Sequence, residues 1–397
     1  MFSTHLRHGR LAGPIAVATL SRLVLNVGQR MAYPFLPVIA RGLDVSLASA
    51  SLLVSAGLVT GLAGPLIGPL ADRAGRRRMM AWGMLLFSAG AALAAAYANF
   101  ATVAAGFLII GLGKVFFDPS LRAFVGDRVP FERRGVVLAF TELAWAGAIL
   151  VGVPFAGWVM EARGWRAGYA GVAAAGLVGL TSLLVAIPAD SPAATSRQER
   201  DGFGRALRSV LTNRAALGAL GITWLLMASH ELLFVVYGAW METSHGLSVA
   251  QIGLVSMVIG VAELVGELGA AGLVDRLGKG RSLAIGLLLT GACYLVLPFL
   301  SAHLAASLAG LFALYVCFEF TFVATLPLLT ELVPGARATI MSINGAWDSL
   351  GRVSGTLLGP ILWAAGGMWV NGAVAGAATL AALLVLKTVV RPAPQST

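Results

Sequence analysis

The sequence predicts an all-α integral membrane protein, with twelve transmembrane helices in two pseudo-symmetric six-helix bundles. Three observations carry this. Of 397 residues, 58% are hydrophobic and 12% charged, about half the charged share of a soluble domain, and mean hydropathy is +0.85. Apolar runs long enough to cross roughly 30 Å of hydrocarbon, about 20 residues each, recur along the whole chain. The loop charges fall almost entirely on one side of those runs. A soluble enzyme, a disordered chain and a collagen-like repeat are excluded, since the 49 Gly show no three-residue period.

The runs lie at 11–39, 46–71, 79–98, 101–124, 136–160, 166–188, 215–240, 248–273, 281–300, 303–330, 337–364 and 367–389. They read as helices, because backbone polar groups in a bilayer must be satisfied within their own span, and the alternating ten-residue segments of a membrane barrel are absent. The first run follows Arg7 and Arg10 but is too long for a signal-peptide core. With the N-terminus in the cytoplasm, inner segments hold 20 Lys and Arg, and outer loops hold three: Arg41, Arg163 and Arg166. That bias predicts an even number of spans with both termini inside, as in a multi-pass protein of a bacterial cytoplasmic (inner) membrane. Trp158, Trp165, Trp240, Trp363 and Trp369 fall near outer ends, as an aromatic belt would. The longest hydrophilic stretch, 189–214, reads as a cytoplasmic linker between an N-terminal bundle (1–188) and a C-terminal bundle (215–397).

The net charge of +10 sits between apolar runs and reports topology, not a nucleic-acid face. Cys293 and Cys317 lie inside apolar runs, away from disulfide or metal roles. The sequence has no phosphate-binding loop, no His/Cys cluster at metal-ligand spacing and no nucleophile–base–orienter set. The expectation is no cofactor, no metal and no enzymatic activity. Gly111 and Gly113 lie within a span and read as close helix packing.

The chain repeats internally. GPLADRAGRRR at 68–78 follows span two, and AGLVDRLGKGR at 271–281 follows span eight, placing Asp72 and Asp275 203 residues apart. Asp127 and Arg133 recur as Glu331 and Arg337 at an offset of 204; Glu142 and Pro154 recur as Asp348 and Pro360 at 206. A nearly constant offset at three loci argues for duplication of a six-helix unit. The run from Gly68 through Asp72, Arg73, Gly75, Arg76 and Arg77, with Asp127-Arg-Val-Pro-Phe-Glu-Arg133-Arg-Gly after span four, resembles the loop signatures of the major facilitator superfamily. The resemblance covers nearly the whole length. It implies two bundles rocking about a central site, alternating access, and spans one, four, seven and ten lining the cavity. It also implies a cytoplasmic latch built from Gly68, Asp72, Arg73, Gly75, Arg76, Asp127, Arg133, Asp275 and Arg337. Asp72 would bond Arg76, Arg133 and the start of span eleven.

Ionisable residues within spans are costly and therefore pair or face a cavity. In span one, Arg22, Asn26, Arg30 and Tyr33 share one helical face. At the repeat offset, Asn26, Arg30 and Tyr33 correspond to His230, Phe234 and Tyr237, and Glu231 stands one residue off that stripe, within reach of Arg30. In span four, Lys114, Asp118 and Arg122 share a face, and Glu319 in span ten is expected to pair with Lys114 in one state of the transport cycle. Asn26, Arg30, Tyr33, Lys114, His230, Glu231, Phe234, Tyr237 and Glu319 are thus the candidate substrate contacts. For proton coupling the candidates are Glu142, Glu231, Glu263, Glu267 and Asp348. Glu142 has no base in its own span, and desolvation favours its protonated form. Glu263 and Glu267 stack at a spacing of four; the resemblance implies that span eight abuts span five, which would cluster them with Glu142, while Asp348 would pair with Arg352. Packing within the bundles is the plainer reading of each.

By this resemblance, the expected function is secondary transport of a small organic solute, proton-coupled. The intramembrane acids and a softened span-five motif, Val153-Pro154-x-x-Gly157-Trp158, resemble drug and metabolite exporters and favour efflux. The alternatives are a proton-linked importer of an organic anion, favoured by Arg22, Arg30 and Lys114, and a lipid flippase. The expected partners are the solute, protons and membrane lipids, with no nucleic acid. A monomer suffices, because one chain holds both bundles.

Overall fold

The structure, a computed structural model, describes residues 2–64, 67, 74–188 and 200–390; for 2–10, 131–132, 200–203, 205 and 338 it describes the backbone alone. Among the described residues all regular structure is helical. In chain order the helices are α1 (Phe2–Arg30), α2 (Leu36–Gly42), α3 (Leu47–Val59), α4 (Arg76–Ala96), α5 (Phe100–Arg128), α6 (Phe131–Gly147), α7 (Val153–Arg163) and α8 (Trp165–Ala186). They continue as α9 (Arg200–Thr212), α10 (Arg214–Phe234), α11 (Tyr237–His245), α12 (Val249–Leu277), α13 (Lys279–Val296), α14 (Leu304–Leu332) and α15 (Arg337–Val385). Ten helices are long and apolar enough to cross a membrane, or eleven if the bent pair 36–42 and 47–63 forms one span. Non-helical backbone at Gly366 and Gly367 breaks the 49-residue α15 into two lengths, which brings the described spans to about twelve.

Polar side chains set several helix starts. Ser46 Oγ accepts from Ser49 N, Asn99 Oδ1 from Ala101 N, and Asn213 Oδ1 from Ala215 N; each satisfies a backbone donor that the first turn leaves orphaned. Spans one and seven are both interrupted. α1 gives way to turns over 31–35 before α2, and α10 ends at Phe234 before α11 starts at Tyr237. The single uninterrupted helices expected over 11–39 and 215–240 are therefore each two pieces, with span seven running on to His245.

The chain divides into two compact units: Met1–Thr195 with Ser248–Met257, and Ser196–Leu247 with Val258–Thr397. In the first, α4 packs on α5 and α8, α1 on α6 and α8, and α3 on α5. The opening turns of α12 pack on α7, where Glu161 Oε2 accepts from Ala250 N at 2.7 Å. In the second unit, α10 packs along α15, and α13 on α14 and α15.

The repeat expected from sequence is visible in backbone geometry. α5 and α14 are both 29 residues long, with starts 204 apart. α4 and α13 each begin after a glycine at positive φ, Gly75 (92°) and Gly278 (85°); Gly164 (81°) and Gly367 (59°) form a second such pair. Both pairs are 203 residues apart. These backbone conformations exclude a Cβ without strain, so the duplicated loops kept glycine where the backbone demands it.

Glycine also sets the closest helix approach. Gly351, Gly355 and Gly359 form a stripe on α15 against α10. A Cβ added at Gly351 would stand 2.5 Å from Trp224 O, one at Gly359 2.8 Å from Leu232 O, and one at Gly355 would meet Ala228 O. Small residues let helix backbones approach inside a membrane, and this contact holds the polar residues of α10 and α15 in register. The expected packing role of Gly113 has the same form, since its added Cβ would stand 2.7 Å from Gly83 O of α4. The aromatic expectation needs one correction. Trp158 and Trp369 are exposed, but Trp240 is fully buried and Trp165 nearly so. Trp165 packs on Tyr169 and Trp240 near His245, which makes them core residues at the ends of their helices.

Candidate functional site

Each unit holds its own charged cluster inside the spans. In the first, Arg22 of α1 is the hub. Its Nε lies 3.2 Å from Asp118 Oδ1 of α5, and its Nη1 lies 2.9 Å from Glu142 Oε2 of α6 and donates to Thr141 O at 3.0 Å. Lys114 Nζ is 2.8 Å from Asp118 Oδ2 and donates to Asn26 Oδ1 at 2.6 Å. Arg122 Nη2 closes the outer end, 3.6 Å from Glu142 Oε1. The Arg30 guanidinium lies over the Trp145 ring, 3.6 Å from its centroid. Spacings of four residues on α1 and α5 carry these groups on facing stripes.

The Lys114 charge is met inside its own unit by Asp118 and Asn26; its pairing with Glu319 is expected in one state of the cycle only. Glu319 Cβ packs against α12, close to the Cβ position of Gly266. Glu142, which has no base in its own span, receives two from α1 and α5, Arg22 and Arg122. These bases lie on other helices, where spacing within span five could not reveal them. Span eight does abut span five, though at Val249–Gly253 beside Pro154–Glu161. Of the other two acids expected there, Glu263 is buried and Glu267 exposed.

In the second unit, Glu231 of α10 is fully buried. Its Oε1 accepts from Arg352 Nε of α15 at 2.7 Å, and its Oε2 from Thr356 Oγ1 at 3.2 Å. Arg352 and Thr356, of the same unit, thus compensate the Glu231 carboxylate. Arg352 reaches across to α10, and Asp348, its expected partner, is half-buried one turn earlier on α15. His230 Nδ1 lies 3.7 Å from Glu231 Oε1, beyond hydrogen-bond length.

The His230 ring stacks on Phe318 at 4.3 Å, lies 4.9 Å from Phe234 and meets Tyr315 edge-on at 5.5 Å. Phe234 stacks in turn on Tyr237 at 5.4 Å. His230, Phe234 and Tyr237 therefore do gather, as the stripe on span seven predicts. Tyr315 and Phe318 complete the group; their four- and one-residue spacings from Glu319 carried no signal by themselves. Tyr33 is buried in the first unit.

The two clusters mirror each other with reversed sign. Spans one and five are joined by a cation on the first helix and an acid on the second, Arg22 and Glu142; spans seven and eleven by an acid and then a cation, Glu231 and Arg352.

Of the expected latch, Gly68, Asp72 and Arg73 lie outside the described residues. Gly75 caps α4, and Arg76 Nε lies 3.1 Å from Asp127 Oδ2. The second unit repeats the contact, since Lys279 pairs with Glu331 at the equivalent places. Sequence reasoning missed Lys279, although the offset of 203 from Arg76 points to it. Arg133, Asp275 and Arg337 are exposed.

Comparison with known proteins follows the same division. The family model described as Major Facilitator Superfamily matches residues 18–236 and 219–397. The chain is 26% identical over 333 residues to the "Uncharacterized MFS-type transporter YceJ" of Bacillus subtilis (strain 168), covering 83% of this chain and 84% of that one. It is 23% identical over 357 residues to "Multidrug resistance protein 1" of the same organism, covering 87% and 90%. The crystal structure of a D-xylose–proton symporter superposes with a TM-score of 0.73 at 18% identity, covering 95% of this chain and 97% of that one. With helices, repeat and loop contacts in agreement along its length, the chain belongs to the major facilitator superfamily of membrane transporters.

Proposed function

We infer that the protein is a secondary active transporter that exports a small organic solute across the cytoplasmic membrane by alternating access, with protons moving inward. The observation that carries this reading is Glu231, fully buried in span seven, held by Arg352 and Thr356 from span eleven and flanked by His230. A carboxylate inside a bilayer is costly and is kept for ion or proton traffic. Removing a partner from a buried pair leaves an uncompensated charge, so protonating Glu231 would free Arg352 and bias the helices that carry them. The aromatic group around His230 offers flat apolar surface for a solute beside that carboxylate. Similarity to multidrug resistance proteins supports the outward direction.

In this scheme Asn26, Arg30, Tyr33, Lys114, His230, Phe234 and Tyr237 are the proposed solute contacts. Glu142, Glu263, Glu267, Glu319 and Asp348 are the further acids of the pathway. The pairs Arg76–Asp127 and Lys279–Glu331 would act at the cytoplasmic ends, making and breaking as access alternates. Exposed ion pairs suit that role because each is worth only about 0–1 kcal/mol.

The test uses everted membrane vesicles with an acidified lumen and a pH-sensitive dye. Fluorescent lipophilic cations and arenecarboxylates are added in turn. At least one should release luminal protons in vesicles carrying the protein, and Glu231→Gln should abolish the release while the protein still accumulates in the membrane. Release that survives Glu231→Gln removes Glu231 from the coupling path. No proton movement with any solute, together with uptake that ignores the gradient, overturns proton coupling.

A further inference from the structure

We propose that the first unit contains a subsite for the carboxylate of an organic acid, formed by Asn26 Nδ2 and Lys114 Nζ beside Trp145. The proposal rests on the transporter reading and specifies the solute's chemical class.

Lysine has only donors, so the Asn26 atom that faces Lys114 at 2.6 Å is the amide oxygen. The amide nitrogen is thereby turned away, whichever way the amide might otherwise be assigned. Asn26 is fully buried, and its Nδ2 meets no acceptor among the described residues. A buried donor without an acceptor is destabilising, and a bound acceptor would recover that cost. Lys114 uses two of its three N–H donors on Asn26 and Asp118. Since Nδ2 and Oδ1 belong to one amide, the unpartnered amide donor lies within about 5 Å of the ammonium. Two donors at that separation suit the two oxygens of a carboxylate.

Charge points the same way. Asp118 is the carboxylate nearest Lys114, and its other oxygen is taken by Arg22. Glu142 is likewise shared between Arg22 and Arg122. Three cations thus divide two carboxylates, and the ammonium is only partly neutralised. Lys114 keeps 18% of its side-chain surface exposed, so the ammonium is the accessible end of the pair. The Trp145 ring, its centroid 5.6 Å from Lys114 Nζ, is the aromatic group nearest the body of a bound acid on this account, so arenecarboxylates are the probes of choice.

The experiment is thermal unfolding of the full chain in detergent at constant ionic strength. The probes are sodium benzoate and naphthalene-2-carboxylate, with benzamide, benzylammonium and sodium chloride as controls. The carboxylates should raise the midpoint, and the amide, the ammonium and chloride should not. Asn26→Asp keeps a partner for Lys114 but sets a negative charge where the ligand would lie. It should weaken carboxylate binding by about ten- to a hundredfold, the value of one charge-assisted hydrogen bond. Lys114→Gln should do the same if Asn26→Asp does not accumulate. No carboxylate shift in the unmodified protein, an equal shift with chloride or benzamide, or unchanged carboxylate binding in both variants overturns the subsite. Proton release by cations in the vesicle assay without carboxylate binding removes the subsite and leaves the exporter. Carboxylate binding without coupled proton movement does the reverse.

Discussion

Arg22 is the residue on which the first unit's charges converge, and it makes a stability prediction. It is 3% exposed, and its guanidinium serves Asp118, Glu142 and the carbonyl of Thr141 at once. Arg22→Met leaves Asp118 to Lys114 alone and strips Glu142 of its nearer base. The expected loss is about 3 kcal/mol, the lower end of the cost of breaking a buried pair, because Lys114 still compensates Asp118. Unfolding midpoints in detergent measure it. Arg22→Met combined with Glu142→Gln should lose less than the two single changes together, since they share one contact. Arg22 was legible in the sequence as an intramembrane cation that needs a partner. Its partners were not, because they lie 96 and 120 residues away on two other helices.

At the scale of elements, the α10–α15 contact decides where Glu231 can find compensation. Trp224 O, Ala228 O and Leu232 O of α10 stand where Cβ atoms at Gly351, Gly355 and Gly359 would lie. Gly355→Leu must push the two helices apart, lengthening the bonds from Arg352 and Thr356 to Glu231. Overpacking typically costs 1–3 kcal/mol, and the loosened carboxylate adds to it. Gly221→Ala on α10, where an added Cβ meets nothing within 4 Å, is the matched control and should leave the midpoint unchanged. The glycine stripe at a spacing of four is visible in the sequence, and so is the repeat. Which helix the stripe faces is a tertiary fact. The interruptions of spans one and seven were hidden for a related reason: the residues 31–35 and 235–236 are as apolar as their neighbours, so hydropathy runs through the turns without a mark.

For the whole molecule, topology is the property most open to direct measurement. The loop bias of 20 cations to three predicts that both termini lie in the cytoplasm. A C-terminal fluorescent-protein fusion should therefore glow in cells, and a C-terminal alkaline phosphatase fusion should be inactive. The reverse pattern would invert the sidedness of the proposed latch and the direction of export. The mirrored clusters, Arg22 with Glu142 and Glu231 with Arg352, show that the two copies of the repeat kept a charged bridge between equivalent helices while exchanging its sign. A duplicated scaffold can thus present a cationic face in one unit and an acidic one in the other.

By itself the sequence determined the membrane class, the approximate spans, the loop bias, the duplication and the family resemblance. Each of these is read from a local run or a fixed offset along the chain, because hydrophobic length and helical period are local quantities. The tertiary structure alone decided which charges meet. Lys114 turned to Asp118 and Asn26, Glu142 to Arg22 and Arg122, and Arg352 to Glu231. The cost of a bare charge in a membrane requires that each have a partner, but only the packing of helices distant in sequence determines which partner lies within reach.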